Sequence, residues 1–321
     1  MGLGILADGK WVSDRDQEDE KGRFVRPSTT FRNWIRADGS NQFQPEPNRY
    51  HLYVSLACPW AHRTLIMRQL KGLADTISVS VVDPVIEENG WEFSDAPGAI
   101  PDSVNQARYL WEIYVKAEPN YSGRVTVPVL WDKQTDTIVN NESREIIRML
   151  DTEFGALGAD RDLCPTELQP TIDEAIDAIY QPINNGVYRA GFATTQDAYE
   201  EGVTELFAAL DHWEGILKRQ RYLCGNQLTE ADICMFTTLL RFDPVYYVHF
   251  KCNLRRIVDY PNLWGYLRDV YQHPEVKETC NLEHIKLHYY KSHPKVNPTR
   301  IVPKGPILEL ESEHGRDRKF A

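Results

Sequence analysis

Cysteine is scarce in this chain. The 321 residues hold six (58, 164, 224, 234, 252 and 280), irregularly spaced and without a C-x-x-C pair. That spacing excludes a zinc ribbon and a dense disulfide framework, and it fits a reducing, cytoplasmic setting with no metal. Long apolar runs are missing as well. None approaches the ~20 residues of a membrane span, and the N-terminal Met1-Gly-Leu-Gly-Ile-Leu-Ala-Asp-Gly-Lys10 has no apolar core of signal-peptide length. Basic charge is outweighed: 36 Lys and Arg stand against 47 Asp and Glu, a net charge of -11, which argues against nucleic acid or an anionic membrane as partner. What is present, 42% hydrophobic and 26% charged over 321 residues, suffices for two soluble domains with cores of their own.

One stretch organises the rest. In Tyr50-His-Leu-Tyr-Val-Ser-Leu-Ala-Cys-Pro-Trp-Ala-His-Arg63, Leu52, Val54 and Leu56 alternate with Tyr53 and Ser55 as in a strand. Ala61 to Leu73 is then rich in helix formers, with Leu65, Ile66 and Leu70 at helical spacing. Pro59 suits a first helical position, where its missing N–H has no intrahelical partner to lose. Cys58 therefore falls at a helix N-terminus, where free N–H groups and the positive end of the macrodipole favour the thiolate, the reactive form. The competing interpretation is a buried structural cysteine at a strand end. Ala61 occupies the place of a second redox cysteine, so the site works as a monothiol and needs an external thiol.

Residues 1–48 read as an extension. Asp14 to Lys21 is a charged run, but Phe24, Phe31, Trp34 and Ile35 are too apolar for free disorder and predict an arm packed on the body, against the alternative of a partly ordered tail. Residues 49–155 read as a small α/β domain. Strand 50–56, helix 61–73 and strand 77–82 give a βαβ rhythm, an insertion over 84–124 carries a helix from about Val104 to Ala117, and the domain resumes at Val125-Thr-Val-Pro-Val-Leu-Trp131. Pro128 cannot donate in a central ladder and marks an edge or special turn, with a cis bond a candidate. Thr137-Ile-Val139 is a short strand, and Asn141-Glu142-Ser143 opens a helix running to about Phe154. Residues 155–167 read as a linker. Helical periodicity over 168–182, 196–219, 229–242, 261–272 and 282–290 makes the second domain, 168–290, all-helical, and Thr229-Glu-Ala-Asp232 reads as a structural capping box. Prolines 294, 298, 303 and 306 make 291–321 an extended tail.

This order of features resembles the glutathione transferase superfamily, and more narrowly its Xi class, the glutathionyl-hydroquinone reductases. The resemblance rests on Cys58-Pro-Trp-Ala-His-Arg63, Asn89-Gly-Trp91, Ser122-Gly-Arg-Val-Thr-Val-Pro-Val-Leu130, Asn141-Glu-Ser143, Asn185-Gly-Val-Tyr188, Arg241-Phe-Asp-Pro-Val-Tyr246 and His288-Tyr289, and it covers nearly the whole chain. Omega-class relatives share the cysteine and Pro59 but usually lack Trp60 and His62. The resemblance implies a thioredoxin-like α/β domain followed by an all-α one, a homodimer, and glutathione as co-substrate. It further implies that Val125, Thr126 and Val127 pair with the tripeptide backbone by β-augmentation ahead of a cis Pro128. Glu142 would take the γ-glutamyl ammonium and Ser143 its carboxylate, while Trp91 and Arg124 cover the rest of the peptide. Taken one at a time, Trp91 could equally be insertion core and Glu142-Ser143 an ordinary cap.

Three tyrosines out of sixteen, Tyr188, Tyr246 and Tyr289, are singled out by the same resemblance as phenols converging above Cys58. They would bind a hydroquinone ring, with Tyr188 as proton donor and the other two in support. The implied reaction is ping-pong: Cys58 takes glutathione from the ring carbon, and a second glutathione resolves the mixed disulfide. Two other readings use the same residues. One is an Omega-like thioltransferase or dehydroascorbate reductase, which has no need of the tyrosines; the other is a non-catalytic interaction module of the same fold. Conjugation to electrophiles fits poorly, because a cysteine here would form a disulfide with glutathione rather than activate its thiol.

Overall fold

The computed structural model describes residues 4–12 and 18–321. The start of the charged run, within 13–17, and the first three residues lie outside them. Backbone packing divides the chain into two units.

The first unit takes in Pro27–Arg161 and Asn281–Val302 together with the described N-terminal residues before 13. It opens on a hairpin, β1 (Ile5–Ala7) and β2 (Lys10–Val12), whose turn residues Asp8 and Gly9 have φ of 48° and 72°, the two left-handed positions of a type I′ turn. Strand β3 (Tyr50–Val54) leads through Cys58 into α1 (Pro59–Leu70), then come β4 (Ser78–Val81), α2 (Leu110–Ala117), β5 (Gly123–Arg124), β6 (Val129–Asp132), β7 (Thr137–Asn140) and α3 (Ser143–Thr152). The main sheet runs β4-β3-β6-β7. Only β3 and β4 are parallel; β6 lies antiparallel to both β3 and β7, so the βαβ rhythm seen in the sequence belongs to one edge of a mixed sheet. This β-α-β then β-β-α order is that of a thioredoxin-like unit. All five residues of β3 are buried, which makes it a two-faced core strand rather than a half-exposed one. The expected helix from 104 starts only at Leu110. The buried Asp102 carboxylate accepts the N–H groups of Val104, Asn105 and Ala107 at 2.9–3.3 Å and the hydroxyl of Tyr53 at 3.1 Å, which holds 102–107 as a loop.

His51 on β3 shows how polar groups are settled in this core. Ser80 donates its hydroxyl to Pro101 O at 3.0 Å, so its oxygen accepts from His51 Nε2 at 3.0 Å, and the neutral ring's Nδ1 then accepts from Ser78 Oγ at 2.7 Å. Burial lowers the His51 pKa from 6.5 to about 4. A depressed folded-state pKa contributes stability above the unfolded value that is lost as pH falls through the folded one. Between pH 7.5 and 4.5 this one group should cost about 2–3 kcal/mol. Urea unfolding at the two pH values should show that much less acid loss in His51→Asn than in the wild type, and equal losses would exclude the assignment.

The second unit comprises Asp162–Cys280 and Pro303–Ala321, with residues 18–26. Its helices are α4 (Gln169–Ile179), α5 (Gly186–Gly191), α6 (Gln196–Leu217), α7 (Glu230–Arg241), α8 (Tyr247–His249), α9 (Pro261–Tyr271) and α10 (Pro274–Lys277). The expected capping box is present: Asp232 accepts from Thr229 N at 2.8 Å, and its carboxylate also takes Leu223 N at 2.8 Å and Tyr266 OH at 3.0 Å. Among the described residues, two segments are π-helical, Tyr180–Asn184 and Phe242–Tyr246, and each contains a proline, Pro182 or Pro244. A proline inside a helix has no N–H for the usual bond four residues back, and the wider turn absorbs the gap.

Two parts of the chain depart from the linear division. Helix α11 (Leu282–Ser292) belongs to the first unit, because His288 Nδ1 donates to Pro84 O at 3.0 Å, His284 Nε2 to Pro97 O at 2.6 Å, and Ile86 N to Ser292 Oγ at 2.9 Å. Residues 18–26 belong to the helical unit, where Thr194 N donates to Gly22 O at 3.0 Å and Arg23 pairs with Glu201 at 2.6 Å. The proline-rich end runs without regular structure until α12 (Arg316–Lys319), whose buried Arg316 donates to the carbonyls of Leu217, at the end of α6, and of Gln220 and Arg221 just beyond it.

Candidate active site

Cys58 is the N-cap of α1, with Pro59 at the first helical position as the sequence predicts. Its own N–H donates to Ser55 O at 3.2 Å, and its carbonyl accepts the first helical bond from His62 N at 2.9 Å, so the residue is pinned at the strand-to-helix corner. The half-buried thiol lies 3.7 Å from Val127 O.

Val127 precedes Pro128 through a cis bond, as expected. The preceding residue's main chain is already engaged inside the protein: Thr126 N donates to Tyr114 OH at 3.2 Å, and Tyr114 OH donates to Thr126 O at 2.8 Å. Asn141 Nδ2 gives the same phenol a third bond at 3.2 Å, and burial pushes its pKa up to about 12. Backbone polar groups in an extended segment alternate in direction, so with Thr126 turned to Tyr114 the neighbouring Val127 is turned to Cys58. Tyr114 and Asn141 were not singled out from the sequence as site residues. They hold the segment that faces the thiol.

Glu142 is the N-cap of α3, and Ser143 is its first residue. Glu142 accepts from Arg144 N and from Thr29 Oγ1 at 3.3 Å each. The arm residues lie along this edge: Phe31 N donates to Asn141 Oδ1 at 3.2 Å, Asn33 N to Val139 O at 3.0 Å, and Arg32 pairs with Glu145. Ser143 is buried, with its Oγ accepting from Arg63 at 3.4 Å, and the guanidinium of Arg63 sits 4.4 Å from the ring centre of Trp60. The last residue of the Cys-Pro-Trp-Ala-His-Arg block thus ties the helix behind the thiol to the start of α3.

Trp91 is buried and stacks on His288 of α11, with centroids 5.1 Å apart and planes 16° apart. Arg124 ends β5, which pairs with β1 (Ile5 opposite Arg124). Tyr289 lies in the same unit as Cys58, buried beside His293 at 5.7 Å. Tyr188 and Tyr246 belong to the helical unit, with centroids 6.0 Å apart and Phe250 within 5.6 Å of both. Residues 18–26 complete this aromatic cluster: Phe24 stacks on Tyr188 at 6.3 Å, and Arg26 lies 4.8 Å from its ring centre while its Nε donates to Asn185 Oδ1 at 2.8 Å. Tyr246 ends one proline-containing π turn, and Tyr188 lies in the helix that follows the other.

Among the described residues, no group of three or more His, Cys, Asp or Glu could hold a metal ion, and no helix is long and apolar enough to cross a membrane.

The family model described as glutathione S-transferase, N-terminal domain, matches residues 57–153, and that for the C-terminal domain matches 196–269. The chain is 56% identical to the glutathionyl-hydroquinone reductase YqjG of Escherichia coli K12 over 99% of this chain and all of that protein. A glutathione-bound structure of YqjG superposes with a TM-score of 0.91, covering 99% of this chain and 100% of that one. Identity to the glutathionyl-hydroquinone reductase PcpF of Sphingobium chlorophenolicum is 52% over 96% of this chain and 98% of that protein. The Xi-class glutathione transferase of Natrialba magadii is 56% identical with a TM-score of 0.94, covering 98% and 97% of the two chains.

Proposed function

The chain belongs to the glutathionyl-hydroquinone reductases, the Xi class of the glutathione transferase superfamily, and from that membership we propose that it reduces glutathionyl-hydroquinones to hydroquinones through a mixed disulfide between Cys58 and glutathione. The observation that carries the reading is the position of Cys58: an N-cap thiol with no second cysteine in its helix turn, 3.7 Å from the carbonyl of Val127 just ahead of Pro128. Such a thiol can accept a glutathionyl group but cannot release it by closing a disulfide of its own.

Glutathione fits the residues around it. Val127 offers main-chain groups to the cysteinyl portion of the tripeptide, and Thr126, committed to Tyr114, supplies rigidity rather than hydrogen bonds. The start of α3 offers a carboxylate at Glu142 for the γ-glutamyl ammonium, and the Ser143 hydroxyl with the helix N–H groups for its carboxylate, with the positive Arg63 behind. Trp91 and Arg124 complete the peptide site.

The reaction then runs in balanced steps. Tyr188 delivers a proton to the ring carbon that bears sulfur while the neighbouring phenol, becoming a ketone, gives up its hydroxyl proton, which returns the Tyr188 phenolate to the phenol; the ring carbon is now tetrahedral. The Cys58 thiolate attacks the glutathionyl sulfur; the S–S bond forms, the C–S bond breaks, and its electron pair passes into the carbonyl, restoring the aromatic ring as a phenolate that takes a proton from water to give the hydroquinone. Tyr246 and Tyr289 hold the ring hydroxyls. A second glutathione, as thiolate, attacks the mixed disulfide, giving glutathione disulfide and free Cys58. A homodimer and a cytoplasmic setting belong to the same reading.

The test is a single turnover. Enzyme mixed with glutathionyl-hydroquinone and no free glutathione should release about one equivalent of hydroquinone and carry one glutathione on the Cys58 peptide by mass spectrometry. If hydroquinone forms only when free glutathione is added and no adduct is found, the ping-pong route is wrong.

A further inference from the structure

The N-terminal hairpin carries none of the residues assigned to glutathione, yet it touches both segments that carry Trp91 and Arg124. On one side, β1 is the strand partner of β5, with Ile5 opposite Arg124 and Leu6 opposite Gly123. The register is reinforced at the turn, where Asp8 N donates to Ser122 Oγ at 2.9 Å and Gly9 N to Tyr121 O at 3.0 Å. In the order β2-β1-β5, β5 has no other partner among the described residues, and two residues cannot hold a strand conformation alone. On the other side, β2 presents Trp11. Its indole N–H donates to Glu88 O at 3.0 Å, and its ring lies so close to Gly90 that a Cβ there would sit 2.6 Å from Trp11 Cη2. Gly90 has φ +80°, which favours glycine on its own account, and Gly4 closes on the same ring from β1's side. Residue 91 is the tryptophan that stacks on His288.

We infer that this hairpin, with Trp11 as its key positioning residue, sets the spacing between Trp91 and Arg124 and so tunes the affinity for glutathione; the inference rests on the glutathione reading above. Trp91 is held locally, with Leu110 N donating to its carbonyl at 2.9 Å, but among the described residues no strand pairing joins its segment directly to that of Arg124. Residues 84–109 hold no helix or strand, and β5 is two residues long. A ligand clasped by groups on two separate segments must fix the distance between them on binding, and that ordering weakens affinity. A hairpin that pins one loop by a strand ladder and the other by an indole removes most of that cost before the ligand arrives. Trp11 touches no reacting atom, so its effect should fall on binding rather than on the chemistry at Cys58.

Calorimetric titration of the full-length protein with reduced glutathione tests this. Trp11→Ala should raise the dissociation constant about tenfold, while Trp11→Phe, which keeps a ring over Gly90 but loses the bond to Glu88 O, should raise it about threefold or less. The rate of Cys58 alkylation by iodoacetamide should stay within about twofold of wild type in both. The discriminating arm is a double-mutant cycle: if Trp11 acts by aligning one side of the site with Arg124, then in an Arg124→Ala background the Trp11→Ala effect should shrink to about threefold or less. Unchanged affinity in both Trp11 variants overturns the inference. So does an equal loss in the two backgrounds, which would mean a merely structural role. Failure of the wild type to bind glutathione would overturn the glutathione reading itself and this inference with it, an outcome distinct from wild-type binding that the variants share.

Discussion

Cys58→Ala is expected to lower turnover of a glutathionyl-hydroquinone by about 10³-fold or more, some 4 kcal/mol of transition-state stabilisation, while leaving the fold and glutathione affinity nearly intact. The size of the loss follows from the absence of a substitute. Of the five other cysteines, Cys164, Cys234 and Cys252 are buried. Burial pushes the thiol of Cys224 up to about 11 and that of Cys280 up to about 12, and Cys252 higher still. At neutral pH a thiol near 11 holds roughly one thiolate in 10⁴, too few to take over the attack. None of these five lies at the N-cap of a helix, as Cys58 does. The alanine side chain fits the space left by the thiol, and the cap's backbone bonds from Ser55 O to His62 N do not involve sulfur, so stability should change by less than about 1 kcal/mol. Steady-state turnover and a thermal melt, run side by side, check both halves. An alanine variant that retains more than a few per cent of the activity would displace Cys58 as nucleophile.

What could be read from the sequence was local. The corner at Cys58 is legible because three signals agree within fifteen residues: alternation before the cysteine, helix formers after it, and a proline at the one helical position that tolerates it. The capping box at Thr229 is legible for the same reason. What escaped was long-range or concealed by composition. The Asp8-Gly9 pair is a hairpin signal, but its flanking strands are three residues each, and their partner β5 lies more than a hundred residues away. The helical stretches expected at 168–182 and 229–242 stop at or just before Pro182 and Pro244, whereas the chain continues through both prolines in π turns. Helix α11 follows the other helices in the chain, and only its bonds to Pro84, Pro97 and Ile86 assign it to the sheet-bearing unit. Tyr114 carries no motif at all; its part in holding Thr126 follows from a hydrogen bond between residues twelve apart.

Tyr188→Phe separates the carbon chemistry from the sulfur chemistry. With a glutathionyl-hydroquinone the departing atom is a ring carbon, which cannot leave with its electrons until a proton makes it tetrahedral, so loss of the phenol should slow hydroquinone release by about 10²–10³-fold. With a simple mixed disulfide the departing atom is sulfur, which leaves as a thiolate unaided, and the same variant should react within about threefold of wild type. The surroundings of Tyr188 favour this use. The cationic Arg26 lies 4.8 Å from the ring centre, an arrangement that stabilises the phenolate left after proton transfer. Phenylalanine keeps every ring contact, with Phe24, Tyr246 and Phe250 between 5.6 and 6.3 Å, so the cluster should not collapse. Tyr246→Phe, which removes a supporting hydroxyl rather than the donor, should lose about tenfold on the hydroquinone substrate. Equal losses of Tyr188→Phe on both substrates would remove it as the ring-carbon acid. A larger loss for Tyr246→Phe than for Tyr188→Phe, confined to the hydroquinone substrate, would move that role to Tyr246, because losing the proton donor costs more than losing a group that only holds a ring hydroxyl.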